Sequence, residues 1–202
     1  MSRIVIAGRT QMRGGHVCIG GHDLDDRFRA VRLLNPFGRN WSSDAPFMVG
    51  ETWDVRYRKM TCSPPHVEDV IVRKHRCLAP AVDLKALVLR NVHPWRGPPD
   101  ALFDGTVRST LSGTAYIPAR GPLPRCSTGY WVPDAPVERH VFPDRIRFMS
   151  TAESSIKRFA WVGVSDPPER IAKGSLVRVS LSRRFGTETA PEGYYVQISG
   201  VL

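Results

Sequence analysis

The sequence predicts an all-β chain: two consecutive small β-barrels with long loops and at most short helices. Three observations carry that prediction. Short β-branched runs recur between Gly- and Pro-rich turns, helical periodicity is nearly absent, and the strands arrive as two sets of four or five along 202 residues. A chain of this length can bury a core as one large β domain or as two of about a hundred residues each. The two strand sets favour two barrels over a single sandwich.

Taken in order, Ile4-Val5-Ile6 reads as a short strand, Gly8 to Gly15 as a turn carrying Arg9 and Arg13, and Val17-Cys18-Ile19 as a second strand closed by Gly20-Gly21. Asp23-Leu24-Asp25-Asp26 is a polar turn. The next strand, Phe28 to Leu33, is read with Phe28 and Ala30 on one face and Arg29 and Val31 on the other. Asn35 to Gly50 reads as a loop containing Trp41. In Thr52 to Met60 the alternation is clear, with Trp53, Val55 and Tyr57 on one face and Asp54, Arg56 and Arg58 on the other. Ser63-Pro64-Pro65 breaks the pattern and Val70-Ile71-Val72 is a further short strand. Asp83 is an N-cap for a short helix through Leu89, followed by the Pro-rich punctuation His93 to Pro99. A boundary there gives barrels over residues 1–96 and 97–202.

In the second half, Gly113 to Gly129 reads as a long loop. Strands follow at Arg145 to Phe148, Phe159 to Val164, Leu176 to Leu181 and Tyr194 to Val201.

The charge is strongly skewed. Lys and Arg number 29 against 19 Asp and Glu, a formal net charge of +10, with an isoelectric point near 10.0. Arginine outnumbers lysine 24 to five. Arginine's planar fork suits phosphate, but a GC-rich genome produces the same bias, so the sign of the charge informs more than the arginine identity. A basic domain of this kind favours an anionic partner, of which nucleic acid is the commonest. No membrane partner is expected, because the longest apolar stretches, such as Ala86-Leu87-Val88-Leu89, are too short to span a bilayer. The N-terminus has no secretory pattern, and the irregular positions of Cys18, Cys62, Cys77 and Cys126 suggest reduced thiols. A cytoplasmic protein is expected.

Several segments, in order, resemble the dual OB-containing domain family of prokaryotic proteins. They are Ile4-Val5-Ile6-Ala7, Gly15-His16-Val17-Cys18-Ile19-Gly20-Gly21, Phe28-Arg29-Ala30-Val31-Arg32, Pro65-His66-Val67-Glu68-Asp69-Val70, Val164-Ser165-Asp166-Pro167 and Tyr195-Val196-Gln197-Ile198-Ser199-Gly200-Val201. Order and spacing carry the resemblance, which spans nearly the whole chain. It implies two consecutive OB-like barrels, a place among bacterial conflict or phage-defence systems, and nucleic-acid binding. It brings no catalytic residues. The first loop, Arg9-Thr10-Gln11-Met12-Arg13, departs from the Asn-Ser-Arg-Lys type of loop expected there.

An OB barrel binds single strands with cations that track phosphates and aromatics that stack on bases. The candidate cations are Arg9, Arg13, Arg29, Arg56, Arg58, Lys59, Arg147, Arg183 and Arg184. The candidate stackers are Trp41, Trp95, Tyr116, Tyr130 and Trp131, which stand beside Pro and Gly, with packing over a barrel end as the alternative for each. Trp53, Tyr57, Phe159 and Trp161 read as core. His66 and Glu68, at i and i+2, share a strand face and are the candidates for a divalent metal or a general base; a turn paired with a nearby Arg is the alternative. Cys62, His66, His75 and Cys77 are candidate zinc ligands, although their spacing matches no common finger. The Ser154-Ser155-Ile156-Lys157 segment offers a Ser near a Lys and nothing further. Phosphate-loop, nucleophile-elbow and His-Glu-x-x-His patterns are absent.

The expected function is a non-enzymatic module for single-stranded DNA or RNA, since no recognition helix is visible. No cofactor is implied. The alternatives are a metal-dependent phosphodiesterase or nucleotide-processing domain using His66 and Glu68, and an adaptor docking an effector protein of a defence system through a barrel edge or a Pro-rich loop.

Overall fold

Sixteen strands alternate with turns in a computed structural model that describes every residue except 81, 144 and 151–155. Two compact units divide the chain, Met1–Val92 and His93–Leu202.

The first unit contains β1 (Ser2–Met12), β2 (His16–Asp23), β3 (Arg29–Leu34), β4 (Trp41–Ser42), β5 (Thr52–Lys59), β6 (Asp69–Ala79) and helix α1 (Leu84–Asn91). The pairings β1–β5, β5–β6, β6–β3, β3–β2 and β2–β1 close a five-stranded barrel. Closure removes the open edges that would otherwise recruit other chains. Ile4, Ile6, Val17, Ile19, Val31, Leu33, Trp53, Val55, Val70 and Val72 fill the core, with Phe47 packed among them. Asp83 caps α1 as its pattern predicts, its carboxylate accepting from the Ala86 N–H at 2.9 Å.

The second unit contains β7 (Trp95–Gly97), a kinked 3-10 segment (Pro99–Gly105), β8 (Arg108–Ser109), β9 (Ala115–Pro118), β10 (Thr128–Pro133), β11 (Val137–Val141), β12 (Ile146–Ser150), β13 (Lys157–Trp161), β14 (Arg170–Ile171), β15 (Val177–Leu181) and β16 (Gly193–Val201). Its sheet runs β14-β11-β12-β13-β16-β15-β10-β7, with β9 joining β16 and β8. It curls into a half-barrel around Phe103, Trp131, Phe148, Phe159, Val179 and Ile198. A closed barrel followed by a curled one is the all-β, two-barrel OB-like class predicted from the sequence.

Most local departures from the sequence reading have one cause: pairing extends strands through residues that carry no apolar alternation. The expected turn from Gly8 to Gly15 shrinks to Arg13-Gly14-Gly15, because Gly8 to Met12 pair with His16 to Gly20. Gly20-Gly21 does not close β2. Gly21 sits inside it, where a Cβ would lie 2.6 Å from the Val5 carbonyl oxygen. The strand read at Val70 to Val72 runs on to Ala79. β4 and β7 occupy segments read as loop or punctuation, and β9 and the start of β10 lie within the predicted loop at Gly113 to Gly129. Phe28 does not share a strand face with Ala30. It precedes β3 in a left-handed conformation (φ 56°), its buried ring 4.3 Å from His22, while Val31 and Leu33 enter the core. β13 ends at Trp161, leaving Val164 exposed.

Candidate nucleic-acid interface

The antiparallel pair β5–β6 assembles a cationic surface on the first unit. Trp53, Val55 and Val72 point into the barrel, so alternation turns Asp54, Arg56 and Arg58 outward. A bulge alters the register on β6: Tyr57 faces Val72 but Arg56 faces Lys74, leaving Arg73 as the extra residue. Beyond it, Asp54 faces Arg76. The outward face therefore carries Arg56, Arg58, Lys74 and Arg76, with Arg73 at the bulge reaching out to donate to the Pro36 carbonyl at 3.4 Å. Asp54 offsets part of this charge, with its carboxylate 3.7 Å from the Arg76 guanidinium. Like charges directly opposite in an antiparallel pair are destabilising unless an anion lies between them. The Arg56–Lys74 pairing has that arrangement.

The turn from Asn35 to Arg39 lies over the same face. Asn35 organises it by accepting from the Phe37 and Arg39 N–H groups at 3.0 and 3.1 Å. Gly38 adopts φ 75° above Ile71, the register partner of Arg58. At its tip Phe37 is 85% exposed, between Arg39 and the Arg73 contact. Sequence reading missed Phe37 as a stacker, although the local signal, an aromatic between Pro36 and Gly38, was present.

The other sequence candidates separate into distinct roles. Arg9 clamps a loop: it donates to the carbonyls of Ala45 (2.8 Å), Phe47 (3.0 Å) and Ser43, fixing the segment that delivers Phe47 to the core. Arg9→Ala strands these acceptors, so the first unit should lose about 2–3 kcal/mol. Urea unfolding followed by Trp fluorescence checks this, and unchanged stability with weakened nucleic-acid binding would return Arg9 to the interface.

Arg29 and Lys59 are committed to Asp26, at 2.9 and 3.0 Å. Those hydrogen bonds, Arg29's first, hold the Asp26 carboxyl below the ordinary range. Arg29 also donates to the Tyr57 hydroxyl at 3.0 Å. Arg13 is exposed at the β1–β2 turn. In the second unit Arg147 lies over the Phe142 ring at 4.8 Å, Arg183 is exposed, and Arg184 pairs with Glu192 at 2.8 Å.

Four predicted stackers are packing residues. Trp41 is half-buried, its ring 5.2 Å from Phe47 and its Nε1 donating to the Leu33 carbonyl at 3.1 Å. Trp95 lies 4.6 Å from Phe103 and fills the space above Gly129. Trp131 is 0% exposed and donates from Nε1 to Gly97. Tyr130 is buried on the opposite face of the same strand, and that burial pushes its phenol up to about 12. Both faces of β10 are covered, so adjacent aromatics are both internal. Tyr116 remains on an outward face.

His66 and Glu68 are buried before β6. The adjacent Asp69 forms a buried two-pronged pair with Arg32, Nη2 to Oδ2 at 2.5 Å. His75 is exposed at the rim beside Phe47 (5.0 Å), Trp53 (5.5 Å) and Trp41 (5.7 Å), and Cys77 is exposed too. Among the described residues no group of three or more His, Cys, Asp or Glu is close enough to hold a metal ion, so Cys62, His66, His75 and Cys77 are not gathered into a site. Ser154 and Ser155 lie outside the described residues.

No family model matches the chain, and no curated protein does. Solved chains with loose similarity include a murine DNA-binding protein bound with double-stranded DNA: TM-score 0.33, 7% identity, 97% of this chain and 91% of that one. Another is the Ifi202 HINa domain in complex with 20bp double-stranded DNA, at TM-score 0.35 and 10% identity, covering 98% and 94%. Among the described residues no helix is long and apolar enough to cross a membrane.

Proposed function

We propose that the chain is a nucleic-acid-binding module that favours single-stranded DNA or RNA, with the outward face of β5–β6 as its principal surface. The observation that carries this reading is the Arg56–Lys74 opposition flanked by Arg58, Arg73 and Arg76, with Asp54 as the carboxylate among them. A phosphate backbone supplies the anions that this face lacks. Phe37 supports the preference for single strands, because an unpaired base can stack on an exposed ring that a duplex keeps at a distance. The resemblance to the dual OB-containing family supports a role in prokaryotic conflict or phage defence, with an effector protein as a candidate second partner. Burial of His66 and Glu68, 7% and 4% exposed, weighs against their meeting a phosphodiester and so against the enzymatic alternative.

Phe37→Ala tests the strand preference. Stacking contributes about 1–3 kcal/mol per base, so the variant should bind a single-stranded oligonucleotide about tenfold more weakly and duplex DNA unchanged. Its thermal unfolding should match that of the unaltered chain, because the ring is exposed. Equal losses on both strand types would remove the stacking role, and tighter duplex binding by the unaltered chain would overturn the preference.

A further inference from the structure

We propose that the second unit carries its own nucleobase-stacking seat, built from Tyr116, Tyr195 and Phe185. The inference rests on the nucleic-acid reading above but on different residues. Tyr116 on β9 and Tyr195 on β16 are direct cross-strand partners, with ring centroids 5.8 Å apart and planes 28° from parallel. Their neighbours Ala115, Ile117 and Val196 enter the core, so alternation places both tyrosines on the outward face. Phe185 closes one side, 5.9 Å from Tyr195 and inclined by 71°. The three rings form an aromatic corner.

This corner is fixed by the backbone. Phe185 and Gly193 exchange both N–H···O bonds at 2.9 Å, so Phe185 is pinned although the residue is 48% exposed. A Cβ on Gly193 would lie 2.8 Å from Tyr116 Cδ2 and 2.3 Å from the Ile117 carbonyl oxygen, so glycine is what lets the Tyr116 ring lie over β16. The Tyr195 hydroxyl donates to the Pro191 carbonyl at 2.8 Å, which sets its ring orientation. A seat held by such constraints loses little entropy on binding a flat ligand.

Charge around the corner identifies the ligand. Arg108 faces Tyr116 across β8–β9 with its guanidinium donating to the Gly105 and Val107 carbonyls at 3.0 Å, Arg183 and Arg184 immediately precede Phe185, and Arg120 lies close enough to Glu192 to act on its carboxylate. Against these four stand Glu188 and Glu192, the latter paired with Arg184. Flat apolar rings within a net basic rim match a base joined to a phosphate. Cross-strand stabilisation accounts for the tyrosine pair but leaves the pinned, half-exposed Phe185 without a purpose.

The test uses the full chain and a single-stranded oligonucleotide carrying 5-iodouridine, with photo-cross-links mapped by mass spectrometry and affinity measured alongside. The expected result is cross-linking at Tyr116, Phe185 or Tyr195, with Phe185→Ala abolishing it and weakening binding about tenfold. Phe185→Trp should retain both, and thermal unfolding of each variant should be unchanged, as a purely packing role would not allow. Cross-links confined to the first unit, or Phe185→Ala binding at full affinity, would overturn the second seat and leave the first-unit reading standing. Absence of salt-dependent binding by the unaltered chain would overturn both.

Discussion

Replacing Arg56, Arg58 and Lys74 together by alanine should weaken binding of a single-stranded oligonucleotide about a hundredfold at moderate salt, with little effect on stability. All three side chains are exposed and point away from the barrel core. Each neutralised phosphate contributes about 0.7 to the slope of log affinity against log salt for a single strand, so losing three contacts should reduce that slope by about 2. Relief of the Arg56–Lys74 repulsion should leave the folded first unit equally or slightly more stable. Anisotropy titrations over a salt series and urea unfolding measure the two effects separately. A variant with unaltered slope would move the binding surface elsewhere. Arg13 and Arg183, also exposed, are the positions to replace next.

Trp131→Ala should act in the opposite way, through stability. The indole is fully enclosed, lies 5.7 Å from Phe159 and donates a hydrogen bond to Gly97 at 2.9 Å. Removing a large aromatic from such a position costs about 3–5 kcal/mol and strands the Gly97 carbonyl. Unfolding of the second unit, followed by calorimetry, should shift to markedly lower temperature, while contacts of the first unit with nucleic acid persist wherever the chain stays folded. Loss of affinity with normal stability would restore Trp131 to the stacking role its sequence neighbourhood suggested.

These two outcomes mark where sequence patterning was sufficient and where it failed. Alternation along Thr52 to Lys59 assigned both faces of β5 correctly, because one side meets a core and the other meets solvent. The same rule could not place Tyr130 and Trp131, since β10 is buried on both faces and adjacent aromatics there carry no alternation. Composition beside Pro and Gly gave the same signal at Trp41 and Trp95, which are partly buried and pack against the two cores. Alternation predicts only the first part of β6 because Arg73 to Arg76 is polar or charged at every position; its pairing to β5, including the bulge, emerges only in three dimensions. That hidden half supplies Arg73, Lys74 and Arg76 to the candidate interface. Arg9 illustrates the converse: a cation in a Gly-rich stretch looks available, but three loop carbonyls engage it. The cationic excess was legible from composition, whereas the identity of its exposed members depended on which carboxylates and carbonyls captured the rest.

The proposed activity is the binding of single-stranded nucleic acid by a cationic strand face with an exposed ring beside it. The most direct measurement is fluorescence anisotropy of labelled single-stranded DNA, single-stranded RNA and duplex DNA against the unaltered chain across a salt series. The expected result is tighter binding of a single strand than of the duplex, with log affinity falling linearly and steeply as log salt rises. Absence of binding near physiological salt, or affinity that does not depend on salt, would contradict it.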